Sequence, residues 1–290
     1  MSPAPLVAQK LEAAYPALSP RLRKAARYVL KHPAEVALYP LRQVAAGAGV
    51  SATTLVRLAT DLDFVTYNEF RNAFRDQIRT GAERYAANAS KVISSPSADG
   101  FEQIYRQAQE TLTLSLEELF RTVSAREVAR AGASLHAASK IYVVGMGSIF
   151  SATYYFNSVL RTFDRRVMLL EDRLGMLIDE IGEMSSSDAL LVVSFEPYMQ
   201  TAVKAAEHAT QVGAQVVAVT DSKLSPIAVR STQTIIVPTA STAFYQSLLP
   251  TMALLETIIA YLLSRAGAKA VDRIAAEFER RAQFGLYWQD

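Results

Sequence analysis

The chain contains no cysteine and only three histidines among its 290 residues. The absence of cysteine excludes disulfide bonds, thiolate zinc sites and cysteine nucleophiles, and it fits a reducing compartment. Because the histidines are scattered, the sequence predicts no metal centre, and we expect no cofactor. Long apolar runs are also missing, since none approaches the roughly 20 residues that cross a bilayer, and the first residues lack a leader pattern. We therefore expect a cytoplasmic protein with no membrane contact.

Charge is unevenly distributed along a chain whose length suits about two domains. Half of the residues are hydrophobic, so each domain can bury a core. Residues 1–85 carry twelve Lys and Arg against seven Asp and Glu, whereas residues 86–290 carry 18 against 21. A basic front joined to a mildly acidic remainder is typical of a polyanion-binding domain followed by one that does not bind polyanions.

Residues 1–85 are predicted to be all-helical, and the segment 41–62 has the pattern of two short helices joined by a tight turn. Apolar residues recur at helical spacing on both sides of Gly47 and Gly49, and Ser51 is placed to cap the second helix. This pattern is typical of a DNA-binding helix-turn-helix, although helices that merely pack together show it too. We interpret residues 1–85 as a helix-turn-helix DNA-binding domain.

The candidate DNA contacts are the residues of this segment that the apolar faces leave outside. Short hydroxyls at the start of a recognition helix suit phosphates or base edges, and an arginine can reach a guanine edge or the backbone. The candidates are Arg42, Ser51, Ala52, Thr53, Thr54 and Arg57. An ordinary solvated helix face is the alternative. The expected partner is a double-stranded DNA operator.

A second domain is predicted after a linker at residues 86–100, which are small and polar with a proline and a final glycine. Within residues 101–290, five short apolar strands alternate with helices, which indicates a parallel α/β sheet covered on both faces. The strands are predicted at residues 141–144, 167–170, 189–193, 216–219 and 234–237. The flavodoxin-like order 2-1-3-4-5 is the expected arrangement.

Hydroxyl-bearing residues recur where four of these strands end, and a Gly-x-Gly turn follows the first. Ligands of such folds bind at the carboxyl ends of the strands, so the pattern suits a polyhydroxylated or anionic small molecule. Ser and Thr are also ordinary loop and cap residues. The candidate ligand-binding residues are Gly145, Gly147, Ser148, Ser194, Glu196, Tyr198, Thr220, Ser222 and Ser241.

A dinucleotide site is an alternative interpretation of the first turn. Phe150 stands where that fingerprint requires Gly or Ala, which weakens it, whereas Glu171 and Asp172 end the second strand, where a ribose-binding acid would lie. A nucleotide-dependent oxidoreductase therefore remains an alternative.

Two sets of motifs resemble a known family. The segments Val50-Ser-Ala-Thr-Thr-Leu-Val-Arg57 and Phe64-Val-Thr-Tyr-Asn-Glu-Phe70 resemble the N-terminal domain of RpiR-type transcriptional regulators. Residues 120–265 resemble a SIS (sugar isomerase) domain, through Val143-Val-Gly-Met-Gly-Ser148 and Val219-Thr-Asp-Ser222 with Ser225-Pro226. The resemblance implies a DNA-binding repressor or activator whose SIS domain binds a phosphorylated sugar and forms dimers or tetramers.

The chain departs from the family at the phosphate loop, which in SIS domains usually reads Ser-x-Ser-Gly-Glu-Thr after the third strand. Here Ser194 is kept, but Phe195-Glu-Pro-Tyr198 follows. The glycine and the second hydroxyl are lost, and the Glu196 carboxylate would repel a dianion. We expect a neutral polyol, a sugar derivative or a ligand with a cationic group.

The predicted function is a ligand-responsive transcription factor without catalytic residues, a repressor rather than an activator. Glu196 is the only candidate base at a strand end, and we interpret it as a specificity group. The alternative is a sugar-phosphate isomerase with an accessory helical domain. An apolar helix over residues 242–263 is either core or the seam of a homodimer or homotetramer.

Overall fold

The computed structural model describes residues 7–93, 100–171 and 175–288. The chain divides into two compact units. The first comprises the described residues of Met1–Tyr105, with Ser222–Val229 and Thr242–Tyr245, and the second comprises Arg106–Asp221, Arg230–Ser241 and Gln246–Asp290 within the same limits.

The first unit is helical, as predicted. Its helices are α1 (Val7–Ala14), α2 (Pro20–Lys31), α3 (Pro33–Leu38), α4 (Leu41–Ala48), α5 (Ala52–Asp61), α6 (Tyr67–Ile93) and the start of α7 (Gly100–Thr122). Ser19 caps α2 by accepting a hydrogen bond from the Leu22 N–H, and Pro20 occupies the first helical position. The apolar face of α2 then packs into one core with Leu55, Leu58 and Phe70.

Helix α6 occupies much of the segment that the sequence predicts as a linker. It continues to Ile93, so residues 86–93 are helical rather than extended coil. Alanine is the best helix former, and residues 86–93 contain three alanines, so their small size favours helix rather than a flexible linker. The remainder of the predicted linker, residues 94–99, lies outside the described residues.

The second unit contains a five-stranded parallel sheet in the order β2-β1-β3-β4-β5, which confirms the predicted fold class and strand order. The strands are β1 (Ile141–Val144), β2 (Val167–Leu169), β3 (Ala189–Val193), β4 (Gln215–Thr220) and β5 (Gln233–Ile236). Strands β1 and β3 are buried at every position, as expected for central strands covered on both faces. All five carboxyl ends therefore lie at one edge of the sheet.

Helices cover both faces of this sheet. They are the remainder of α7, α8 (Ala125–Ala137), α9 (Phe150–Leu160), α10 (Leu177–Gly182), α11 (Gln200–Gln211), α12 (Leu249–Ala266) and α13 (Ala268–Gln283). Helix α8 begins with a capping box, in which Ser124 and Glu127 each bond the other's backbone N–H.

Among the described residues, helix α12 is long and apolar enough, by length and composition, to cross a membrane, which differs from the expectation that no apolar run is long enough. Its buried residues, among them Leu255, Ile258 and Leu262, pack into the same core as β1 and β3. It contacts α8 and α9 along its length. We therefore describe α12 as a core helix of the second unit.

Thr251 is expected to be replaceable by valine with a gain in stability. Its side chain is fully buried, and its Oγ1 has no hydrogen-bond partner in the described part of the chain. Valine has the same shape and removes the cost of burying an unpaired hydroxyl, so we expect the free energy of unfolding to rise by about 1 kcal/mol. Urea denaturation measures this. The matched control is Thr257→Val, which removes a hydroxyl bonded to the Ala253 carbonyl at 2.8 Å, and a gain there as large as at Thr251 would contradict the explanation.

Candidate DNA interface and effector site

The turn between α4 and α5 depends on one glycine. Gly49 ends α4 with φ of 59°, in the left-handed region, and its N–H donates to the Ala46 carbonyl at 3.0 Å. A Cβ at this position would also lie 2.7 Å from the Lys24 Nζ. Gly47, predicted to serve the same turn, instead lies within α4 where a Cβ would lie 1.9 Å from the Tyr28 hydroxyl oxygen, so its role is close packing.

Substitution of Gly49 by alanine is expected to lower the free energy of unfolding by about 1–2 kcal/mol, because a side chain in the left-handed region is strained. Thermal or urea denaturation followed by circular dichroism measures the loss. Gly182→Ala is the matched control, since that glycine closes α10 without a positive φ and with open space around it. Equal losses in both variants would contradict this account of the turn.

Helix α5 is fixed by a cap at its start and by apolar contacts along one face. The Ser51 Oγ accepts a hydrogen bond from the Thr54 N–H at 3.2 Å and lies 2.9 Å from the Thr54 Oγ1. Leu55, Leu58 and Ala59 are buried against the rest of the first unit. The structure thus gives Ser51 a positioning role, because its side chain holds the start of the helix.

The opposite side of α5 is open to solvent. Thr53, Val56 and Arg57 are exposed, and we call them the α5 outer face. Among the described residues, Arg57 has no hydrogen-bond or ion-pair partner, so its guanidinium is available to a ligand. Val56, with 40% of its surface exposed, was not predicted from sequence, although it follows Thr53 at the helical spacing that places both on one side.

The remaining DNA candidates lie close to this face in the chain. Ala52 and Thr54 are half-buried in the first turn of α5, and Arg42 is exposed in the first turn of α4. The whole predicted set is therefore carried by α4, α5 and the residue that caps α5. Two packed helices with an exposed arginine are the arrangement that reads a DNA groove.

At the carboxyl edge of the sheet, the connection from β1 to α9 is shaped by two glycines. Gly147 has φ of 64° and is exposed, with nothing near the position of a Cβ. Gly145 is buried, and a Cβ there would lie 2.7 Å from the Thr153 Cγ2, so this glycine lets β1 pass close to α9. Ser148 is exposed, and its carbonyl accepts a hydrogen bond from the Ser151 hydroxyl at 2.8 Å. Gly147 and Ser148 are therefore the accessible candidates here.

The ends of β3 and β4 meet around one carboxylate. The Asp221 Oδ1 accepts hydrogen bonds from the Tyr198 hydroxyl at 2.8 Å and the Thr220 hydroxyl at 3.2 Å, and its Oδ2 accepts one from the Glu196 N–H at 3.1 Å. Gln246 donates to the Glu196 carbonyl. We call these five residues the Asp221 cluster. Three predicted ligand residues are thus brought together by an acid and an amide that were not predicted.

Ser194 and the two remaining predicted serines occupy different surroundings. Ser194 is buried, and its Oγ accepts a hydrogen bond from the Met199 N–H at 3.4 Å, so it shapes the start of the loop before α11. Ser241 is half-buried after β5. Ser222 belongs to the first unit, where its Oγ accepts a hydrogen bond from the Leu224 N–H at 3.1 Å. The Asp172 of the dinucleotide alternative lies outside the described residues.

The loop after β3 has the geometry of an anion site that is already filled. The Glu196 N–H and the Tyr198 hydroxyl of this loop, together with the Thr220 hydroxyl at the end of β4, are donors of the kind that bind phosphate, but they point at the Asp221 carboxylate. Glu196 places a second carboxylate in the loop near Asp221, so the local charge disfavours an incoming dianion. The arrangement can bind hydroxyl and amino groups, for which carboxylates are good acceptors.

The comparisons with known proteins agree with this organisation. The helix-turn-helix domain of the rpiR family matches residues 6–81, and the SIS domain matches residues 134–261. An uncharacterized HTH-type transcriptional regulator of Haemophilus influenzae is 24% identical over 231 residues, a match that covers 76% of each protein.

Two solved structures share the fold. The Vibrio vulnificus NanR protein complexed with ManNAc-6P has a TM-score of 0.58 and 20% sequence identity, and the match covers 97% of this chain and 99% of that one. The sugar isomerase domain of an RpiR transcription factor from Sphaerobacter thermophilus has a TM-score of 0.56 and 21% identity over 63% of this chain and 99% of its own. The predicted family is therefore confirmed: the chain is an RpiR-type helix-turn-helix transcriptional regulator with a C-terminal SIS domain.

Proposed function

We propose that this regulator binds a double-stranded DNA operator through the α5 outer face, with support from Arg42, Ala52 and Thr54, and that Ser51 positions the helix. A small metabolite bound at the carboxyl edge of the sheet changes that binding. The proposed action is repression, in the cytoplasm, by a homodimer or homotetramer. We choose an assembly with two-fold symmetry because that symmetry matches a palindromic operator.

The proposed effector is a sugar or sugar derivative that presents hydroxyl or amino groups, rather than phosphate, to the loop after β3. The observation that carries this proposal is the set of three donors taken by Asp221. A phosphate at this position would have to displace the carboxylate from all three and approach Glu196 as well. Hydrogen bonds to a charged acceptor contribute about 1.5–3 kcal/mol each, so displacement is costly.

A sugar phosphate is the competing ligand class. The fold neighbour from Vibrio vulnificus is complexed with ManNAc-6P, although the loop after β3 in this chain lacks the glycine and the second hydroxyl that SIS phosphate loops usually have. The two ligand classes predict opposite effects of a phosphate group. If the effector is a sugar phosphate, the phosphate should raise its affinity, and if it is a neutral or amino sugar, a phosphate should lower it.

We further infer that the SIS domain senses its ligand without converting it. An isomerase needs a base beside the substrate carbonyl, usually His or Glu. None of the three histidines follows a strand, since His136 lies in α8 and His208 in α11. Glu196 is the remaining candidate, and we assign it to ligand specificity.

Isothermal titration calorimetry with matched pairs of sugars and their phosphates, including N-acetylmannosamine and ManNAc-6P, tests the effector class. We expect a neutral or amino sugar to bind more tightly than its phosphate, and operator affinity to change on its addition. Tight binding of a phosphate that Glu196→Gln leaves unaltered would overturn the assignment. Conversion of the tightest ligand between ketose and aldose, abolished by Glu196→Gln, would instead identify an isomerase.

A further inference from the structure

The amino edge of the sheet carries a second concave surface, opposite the strand ends described above. A cleft of about 680 Å³ lies between the connection from α9 to β2 and helix α13, and an adjoining hollow of about 420 Å³ shares Arg165, Glu277 and Arg280 with it. Both belong to the second unit. Volumes of a few hundred Å³ suit small molecules. We call the two together the arginine cleft.

Its lining is strongly cationic. Six arginines line the two hollows, whereas only Asp164 and Glu277 supply negative charge. The arginines are Arg161, Arg165, Arg166, Arg273, Arg280 and Arg281. The excess of positive charge within one concavity is unfavourable unless solvent or a ligand compensates it.

Several of these arginines are fixed in place by the chain itself. Arg166 pairs with Asp164 and also donates to the Ala138 carbonyl, while the Arg273 Nη1 donates to the Phe163 carbonyl at 3.1 Å. A backbone acceptor orients a guanidinium without neutralising it, and the charge of Arg273 also acts on Asp164, whose pKa it helps to lower. Pre-positioned donors lower the entropy lost on binding.

Glu277 is shared among three guanidiniums. Its carboxylate is within ion-pair distance of Arg165, Arg280 and Arg281, and only 14% of its side chain is exposed. Desolvation acts to raise the pKa of Glu277, but the hydrogen bonds and charges of Arg280 and Arg281 outweigh it, so the net pKa is lowered and the group stays ionised. The single carboxylate of Glu277 therefore balances only one of the three positive charges around it.

The ends of the helices explain part of this cluster. Arg280 and Arg281 lie in the last turn of α13, and Arg161 follows α9, where cations are favoured by the helix dipole. Arg165 and Arg273 have no such position, since one lies in a connection with 72% of its side chain exposed and the other in the first half of α13. These two are the arginines that helix electrostatics leaves unexplained.

We propose that the arginine cleft binds a small, multiply charged phosphate compound, at a site separate from the effector site. Guanidinium groups form paired hydrogen bonds with phosphate oxygens, and several arginines in one concavity favour at least two linked phosphates over one. A concave hollow of this size suits a metabolite rather than the rod of a DNA duplex. The proposal does not depend on the identity of the sugar effector.

Calorimetric titration of the full-length protein with inorganic triphosphate tests the proposal, with pyrophosphate and orthophosphate as shorter probes. We expect affinity to rise with the number of phosphates and to fall at least tenfold in the double variant Arg165→Ala, Arg273→Ala. Arg165→Lys should lose part of that affinity, because it keeps the charge and loses the fork. Arg126→Ala, which removes an exposed arginine on α8, should bind as the unaltered protein does.

Three outcomes would overturn the proposal. The first is that triphosphate does not bind at low salt. The second is that Arg126→Ala lowers the affinity for triphosphate as much as the double variant does. The third is that citrate binds as tightly as triphosphate, which would indicate a site for carboxylates in general. Circular dichroism of each variant shows whether a lost affinity reflects a lost fold. If the double variant does not fold, the Arg165→Lys variant decides.

Discussion

Replacement of Arg57 by alanine is expected to weaken operator binding by roughly 5- to 150-fold, the range that corresponds to about 1–3 kcal/mol for one arginine contact. The reason is local. Arg57 is exposed on the helix that follows the turn, and it has no partner among the described residues that would hold it away from DNA. Fluorescence anisotropy with an operator duplex measures the loss at two salt concentrations.

The salt dependence separates two roles for Arg57. If its guanidinium binds a base edge, the loss should be confined to the specific site and sequence preference should relax at one position. If it binds phosphate, affinity should fall on all sequences and the salt slope should decrease by about one. Arg21→Ala is the matched control, because it removes one exposed arginine from α2. A loss in the control as large as that in Arg57→Ala would show that only net charge matters.

Asp221→Asn is expected to shift ligand preference towards phosphates. Asparagine keeps the shape of the side chain but removes the negative charge, and its amide NH2 replaces the oxygen that accepts from the Glu196 N–H. That N–H then becomes available, while the Tyr198 and Thr220 hydroxyls face a neutral acceptor that holds them less strongly. For any matched sugar pair, we expect the ratio of phosphate to neutral affinity to rise at least tenfold, which is about 1.4 kcal/mol. Isothermal titration calorimetry of both members of the pair measures the ratio.

The control for this variant is Asp179→Asn, which removes one exposed carboxylate from α10. We expect the affinity ratio in that variant to stay unchanged. An unchanged ratio in Asp221→Asn would show that the carboxylate does not occupy the position of a ligand phosphate, and the proposed effector class would then be wrong.

Local sequence patterns predicted most of the architecture. The strand order matches the flavodoxin-like arrangement, which was expected as a common solution for this fold class and not from local spacing. Apolar spacing predicted the two helices α4 and α5, and Ser51 caps the helix that it was expected to cap. These features depend on residues that are close in the chain, where helical or strand periodicity fixes which side chains share a face.

Two predictions failed because they were drawn only from the kinds of residue present in a short segment. Small residues were taken as a linker at 86–93, yet the preceding helix continues through them. Gly47 was assigned to the turn, yet it is required where α4 passes Tyr28, a residue 19 positions earlier. Helix propensity decides the first case, and packing against a distant residue decides the second.

The candidate sites show the same limit. Asp221 bonds residues that lie 23 and 25 positions earlier, so the sequence identified the loop without identifying the acid at its centre. Its position inside the motif Val219-Thr-Asp-Ser222 was the available signal. The arginine cleft joins residues more than 100 positions apart, such as Arg273 and Phe163, and appears only when α13 folds against the connection to β2.

The central claim is that this chain recognises a specific DNA sequence through the α5 outer face. Selection of genomic fragments by the purified protein at two salt concentrations tests it directly, because it requires no knowledge of the ligand. We expect one or a few discrete palindromic sites that persist at the higher salt concentration and are lost in Arg57→Ala. Weak binding that the higher salt concentration removes, without an enriched sequence, would contradict it.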